Sequence, residues 1–219
     1  MARKYDGALR NKERTKLKLL DAVGEIIRSE GFSQLQLTKI EKIAGVNRKL
    51  IYDYFGAVKS LIETYIRSKD YWVSYANSAN KIVEESTGDH GRELIQMLLL
   101  NQLDSFSKDG DMQQIVLWQI SHDNPLISEI CAERERIGKI LLTSTDSHFN
   151  GTNVDIRARM ALMIAGIYFL VLHSKKVNSL FCGIDLNTPD GMERIKTAIT
   201  NMSEEAYVQA DKHKTGDKK

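Results

Sequence analysis

Arg48 and Lys49 stand directly after Asn47, and this order of side chains suits one kind of chemistry. Asparagine is a favoured N-cap, because its side-chain oxygen accepts a backbone N–H that the first helical turn leaves unpaired. Two cations in that first turn then sit where a helix entering a DNA major groove makes its base contacts. Both can donate to guanine O6 and N7, and both gain by neutralising phosphate. Thr38, Lys39, Leu50, Tyr52, Tyr54 and Lys59 surround them and complete the set of candidate DNA contacts. Spacing alone leaves a second reading open: an αα-hairpin whose basic face is simply solvated.

Two short helices and a tight turn are needed to hold these side chains. Thr38 is a candidate N-cap for the first helix, with Glu41 three residues later completing a capping box. Ile40, Ile43 and Ala44 fall on one face, and Gly45 supplies the left-handed backbone that a helix stop favours. Val46 fills the turn. Residues 48–55 form the second helix, with Leu50 or Ile51, Tyr54 and Phe55 inward and Arg48, Lys49, Tyr52 and Asp53 outward. Ahead of the pair, residues 11–29 read as a helix with an apolar stripe of Leu19, Leu20, Val23, Ile26 and Ile27. Its Arg14, Lys16 and Lys18 are placed to meet flanking phosphates. Residues 1–10 read as a frayed basic lead carrying Arg3, Lys4 and Arg10.

Residues 12–61 resemble the DNA-binding domain of the tetracycline-repressor (TetR) family. Gly31-Phe32 matches the pair that ends the family's first helix, and Thr38 matches the threonine that opens its second. Ile43-Ala44 with Gly45-Val46 follows the family's I-A and A-G-V elements in a shifted register. The aromatic ending Ile51-Tyr52-Asp53-Tyr54-Phe55 is the most specific match. Val58 stands where the family commonly has a lysine, with Lys59 beside it. The resemblance implies an all-α chain: an N-terminal three-helix, helix-turn-helix DNA-binding domain (1–58), then a larger helical ligand-binding and dimerisation domain (59–210). It further implies a regulator, most commonly a repressor, that binds double-stranded DNA as a homodimer and is released by a small-molecule effector.

Composition is consistent with this. In 219 residues, 42% hydrophobic content and only 2 prolines exclude disordered and collagen-like classes and favour long helices. The net charge of +2 conceals an asymmetry. Residues 1–60 hold 13 Lys+Arg against 7 Asp+Glu, a net of +6, which leaves −4 for the remainder. A basic head on an acidic body fits a polyanion-binding domain joined to a body that binds something else. Cys131 and Cys182 have no metal-like spacing and read as reduced thiols. The start is polar and basic, unlike a signal peptide. The longest apolar run, residues 160–172, is 13 residues, short for a bilayer. The expectation is a soluble, cytoplasmic protein with no membrane partner.

The remaining helices are expected at 59–86, 92–107, 112–121, 125–148, 154–180 and 189–210, with 211–219 a disordered tail. By the resemblance, 154–180 and 189–210 form a four-helix interface with a twin subunit. A dimer has a physical basis too, since one short recognition helix reads few base pairs, whereas a twofold places two about 34–36 Å apart. Trp72, Tyr75, Trp118, His122, Met163, Tyr168 and His173 are candidate pocket residues for an apolar effector, and each serves equally as ordinary core. The five histidines (90, 122, 148, 173 and 213) lack metal-ligand spacing, and no nucleophile or phosphate-loop motif occurs. No enzyme, metal or cofactor is expected. The alternatives are a helical interaction adaptor and a constitutive regulator without an effector.

Overall fold

The computed structural model describes residues 2–86, 88–121 and 124–216. Helix dominates among them. The first five helices are α1 (Ala2–Glu30), α2 (Leu37–Ala44), α3 (Arg48–Phe55), α4 (Val58–Lys69) and α5 (Ala79–Glu85). The others are α6 (Arg92–Lys108), α7 (Gly110–Ser121), α8 (Pro125–Phe149), α9 (Ile156–Lys176) and α10 (Pro189–Gly216). The β-type pairing found is an isolated bridge between Phe181 and Ile184. The chain folds as two compact units: Met1–Asp70 with Gly110–Cys131, and Tyr71–Asp109 with Ala132–Lys219.

In the first unit α1 is the spine. Leu19, Ala22, Val23, Ile26 and Ile27 are all buried, at the three-and-four spacing of a core face. Ile40 and Ala44 of α2, Leu61 and Ile66 of α4, and Met112, Ile115 and Val116 of α7 are buried in the same unit. Helices α2, α4 and α7 all pack on α1, and α3 packs on α4.

A buried charge joins three of these helices. Asp111, in the first turn of α7, accepts two hydrogen bonds from Arg28 Nη1 of α1, at 2.8 and 2.9 Å. It also accepts the Tyr65 hydroxyl of α4 at 2.6 Å, and Lys69 Nζ lies 3.2 Å away. Burial alone would raise the Asp111 carboxyl's pKa, but Tyr65, Arg28 and Lys69 outweigh it and hold the group below the usual carboxylate range. Tyr65 reaches the carboxylate by passing over Gly24, where an added Cβ would overlap its hydroxyl.

In the second unit α6 packs against both α9 and α10. Trp72, Ala79, Leu94, Leu98, Ile137 and Leu141 form one core cluster, edged by Tyr71, Tyr75 and Ile164. Tyr207 of α10 is fully buried and donates its hydroxyl to the His90 carbonyl at 3.0 Å, with Arg92 over its ring. Asp155 caps α9 by accepting the Ala158 N–H at 2.9 Å.

Several elements differ from the sequence expectation. Helix α1 begins at Ala2, so the lead read as frayed is helical, as its helix-forming residues and lack of proline allow. The single helix expected at 59–86 is interrupted. Asp70 turns extended (φ −76°, ψ 115°), and a 3₁₀ turn at Val73–Tyr75 precedes α5. Three aromatic residues and a valine between 71 and 75 favour helix weakly, and the Ser68, Ser74 and Ser78 hydroxyls bond back to carbonyls three residues earlier. The break buries both Asp70 and Trp72. Helix α10 continues to Gly216, past the Ala210 end expected from its apolar stripe; residues 217–219 lie outside the described residues. Helix α9 is long and apolar enough to cross a membrane by length and composition, with a mean hydropathy of 1.5. Counting an unbroken apolar run missed this, because isolated polar residues stopped the count.

The Asp111 cluster makes a pH prediction. A carboxylate with a lowered folded pKa adds stability that is present above its unfolded value, about 4, and lost as pH falls through the folded one. Asp111→Asn should cost about 1–3 kcal/mol at pH 7. In urea unfolding followed from pH 7 to pH 3, its deficit against the parent should shrink below about pH 4; parallel curves would refute the assignment.

Candidate nucleic-acid interface

The N-terminus of α3 is held by two side chains. Asn47 has extended backbone (φ −65°, ψ 136°), and its Oδ1 accepts the Lys49 N–H at 2.8 Å. Glu41 of α2 reaches across the turn and accepts the Arg48 N–H at 2.7 Å. Two of the backbone donors that a helix start leaves unpaired are thereby satisfied, and the carboxylate lies where the helix dipole favours negative charge. The capping box expected at Thr38 does not form. The N-cap of α2 is Gln36, which makes no side-chain cap bond, while its carbonyl accepts from Lys39 and Ile40 at 3.0 Å each. Thr38 therefore sits exposed inside the first turn, and Glu41 is free to serve α3. Gly45 closes α2 in the left-handed conformation (φ 61°, ψ 34°), which turns the chain tightly enough for that contact.

Burial divides α3 into two faces. Ile51 is fully buried, Leu50, Tyr54 and Phe55 are half-buried, and Arg48, Lys49, Tyr52 and Asp53 are exposed. The Arg48 and Lys49 side chains make no ion pair among the described residues; only their backbone N–H groups are engaged. The other predicted cations are differently placed. Lys39 is paired with Glu30 and also donates to Gln34 Oε1 at 3.0 Å. Lys59 lies 3.1 Å from Glu129 at the start of α8. Lys12 of α1, absent from the predicted set, stands 5.4 Å from the centre of the Tyr54 ring. Sequence reading also missed the role of Glu41, although an acid seven residues ahead of a helix start, across a short turn, was a visible signal.

No family model matches the sequence, and no curated protein matches it. Its fold is nevertheless shared with solved structures. A TetR family transcription regulator from Marinobacter aquaeolei VT8 superposes with TM-score 0.62 at 21% identity, covering 90% of this chain and 97% of that one. The transcriptional regulator FadR from Bacillus subtilis, solved in complex with stearoyl-CoA, gives 0.61 at 18%, covering 85% and 96%. A putative fatty acid metabolism regulator from Clostridium perfringens gives 0.62 at 14%, covering 84% and 97%. The chain has the TetR-family fold.

Within this TetR fold the predicted pocket residues are scattered. Trp72 and Tyr75 share the core cluster of the second unit. Tyr168 meets Phe106 edge-on with ring centres 4.9 Å apart, and Met163 receives the Ser203 hydroxyl at 3.9 Å. His173 sits among Phe169 and Phe181 at the end of α9. Trp118 belongs to the first unit, stacked on Phe32 with centroids 3.5 Å apart, and is not brought to the others. His122 lies outside the described residues.

The double cap predicts a measurable cost. Asn47→Ala should destabilise the chain by about 1 kcal/mol, within a range of about 0.5–2, by freeing the Lys49 N–H. Asn47→Gly should lose only a few tenths. Thermal unfolding of the two variants in which alanine is no worse than glycine would contradict the capping role.

Proposed function

We propose that this chain is a DNA-binding transcriptional regulator acting as a homodimeric repressor. It would bind a (pseudo)palindromic operator and be released by an apolar small-molecule effector. The observation that carries the reading is the pair Arg48 and Lys49, exposed and unspent at a doubly capped helix start, while neighbouring Lys39 and Lys59 are occupied by protein partners. A helix so fixed presents its first-turn donors to a groove with little orientational freedom left to lose. The same arrangement supports DNA over a solvated hairpin, since solvation alone gives no reason for two caps on an eight-residue helix.

A second surface supports the twin subunit. On α9, Ala158, Ala161, Leu162, Ala165 and Phe169 are exposed along one stripe, with Leu162 at 73% and Phe169 at 54%. On α10, Ala198, Met202 and Val208 are exposed as well. An apolar surface of this kind is costly in water and suits a self-complementary interface between copies of α9 and α10. A small-molecule effector is supported by FadR, a protein of this fold solved in complex with stearoyl-CoA.

Two experiments test the proposal. Genomic fragments captured by the purified protein supply a duplex, on which affinity should fall steeply with rising salt. Arg48→Ala and Lys49→Ala should each weaken binding by about 1–3 kcal/mol if they read bases, and Lys39→Ala by less. Salt-independent or absent binding would favour a helical adaptor instead. Sedimentation equilibrium should return twice the 24.9 kDa chain mass. Leu162→Glu combined with Phe169→Glu should return the monomer with helicity intact, and a parent protein already monomeric would remove the dimer from this account.

A further inference from the structure

The inward stripe of α1 changes character along its length. Ile27, Ile26, Val23, Ala22 and Leu19 are buried, and the same three-and-four spacing carried toward the N-terminus reaches Lys16, Thr15 and Lys12. The stripe does not simply run out into solvent. It ends over another helix, with the Lys12 ammonium 5.4 Å from the centre of the Tyr54 ring in the last turn of α3. Lys16 is turned back onto Glu13 at 3.0 Å, and Lys39 of α2 is paired with Glu30. Lys12 is exposed and makes no ion pair among the described residues, while Tyr54 beneath it is half-buried.

A ring face attracts an ammonium but engages only a share of its three donors, so the charge is oriented and still open to an anion. Its position says which anion. At 1.5 Å per residue, Tyr54 stands roughly 9 Å along α3 from Arg48. The major groove is roughly 12 Å wide, and a recognition helix meets base edges with its first residues. Its last turn then lies out toward the groove wall, where the groups on offer are phosphates. Lysine, a compact point charge on a flexible stem, suits a phosphate oxygen better than the paired acceptors of a base.

We infer that Lys12 is a phosphate contact of the DNA complex, supplied by α1 and seated by the Tyr54 ring. It sets how α3 is held in the groove without reading sequence. This rests on the DNA-binding reading above and adds to it a contact from outside the α2–α3 pair. Arg48 and Lys49 discriminate between duplexes, and Lys12 contributes equally to all of them.

The test measures affinity on the captured duplex and on a scrambled one of equal length, between about 50 and 200 mM salt. Lys12→Met keeps the stem over the ring and removes the charge, while Lys12→Arg keeps both. Lys139→Met takes the same charge from an exposed site in the second unit and controls for net charge alone. Losing one phosphate contact lowers the slope of log affinity against log salt by about 0.9 for each bound chain. The Lys12→Met deficit should therefore shrink about three- to fourfold per chain across that range, equally on both duplexes. Lys12→Arg should recover the parent's slope, and Arg48→Ala should instead narrow the gap between the duplexes. With the ring removed by Tyr54→Leu, adding Lys12→Met should change the slope less than it does in the parent. A Lys12→Met slope no different from that of Lys139→Met overturns the inference and leaves the DNA reading standing. So does a loss confined to the captured duplex, which would make Lys12 a base contact. Equal effects with and without the ring overturn the seating by Tyr54; if Tyr54→Leu failed to fold, the Lys12 variants would still decide the phosphate contact. A parent that binds neither duplex removes the DNA reading itself.

Discussion

One carboxylate kept out of water organises the first unit. At Asp111 the helices α1, α4 and α7 meet through polar contacts, and it draws one partner or more from each of the other two helices. An ion of this kind is expensive to bury and contributes only if its lone pairs are filled with good geometry. Three partners on one carboxylate meet that condition, and they fix the relative rotation of the helices that carry them. Apolar packing alone would tolerate small rotations of α4 on α1. A Tyr65 hydroxyl that must pass over Gly24 to reach Asp111 does not. The α2–α3 pair stands on this frame, so the direction in which α3 points follows from a contact more than fifty residues away in sequence.

On that frame the cations are divided between structure and surface. Arg28 and Lys69 belong to the Asp111 cluster, Lys39 to Glu30, and Lys59 to Glu129. These pairs lower the net field of the head without altering its charge count. Of the three cations in the α2–α3 stretch named as candidate contacts, Lys39, Arg48 and Lys49, the last two carry no protein ion pair among the described residues, and their backbone is held by Asn47 and Glu41. Charge counted along the sequence therefore overstates the basic surface, and the distribution of partners decides which part of it is available.

The local features were readable from sequence because their causes are local. Gly45, Asn47 and the inward Ile51 follow from turn chemistry, capping and helical period within a dozen residues. The cap at Thr38 was misplaced by one competing choice: Glu41 gains more from the exposed end of α3 than from its own helix start. The break at Asp70 was missed because an aromatic stripe spaced for a helix also serves a 3₁₀ turn, and burying Trp72 decided between them. Trp118 read as a body residue, yet stacks on Phe32, because nothing in the spacing of α7 says which helices it will meet. Asp111 with its partners, and the burial of Gln102, were beyond reach for the same reason. A buried acid or amide looks in sequence like any solvated one.

Helix α9 shows how the choice between lipid and protein can be argued from its neighbours. Taken by itself it has the length and hydropathy to enter a bilayer. It does not stand by itself, because Met163 meets Ser203 of α10 and Arg159 pairs with Gln209, setting the two helices side by side and antiparallel. Alongside the exposed Leu162 and Phe169, α10 also exposes Arg194, Thr197, Asn201 and Glu205. Hydrocarbon offers those polar groups no partners and would exact a desolvation penalty for each. A second copy of the same surface, related by a twofold, would bring apolar stripe to apolar stripe and leave the polar side chains at a wet rim. The mixed character of the pair, more than the apolar character of α9, is what favours a twin chain as the cover.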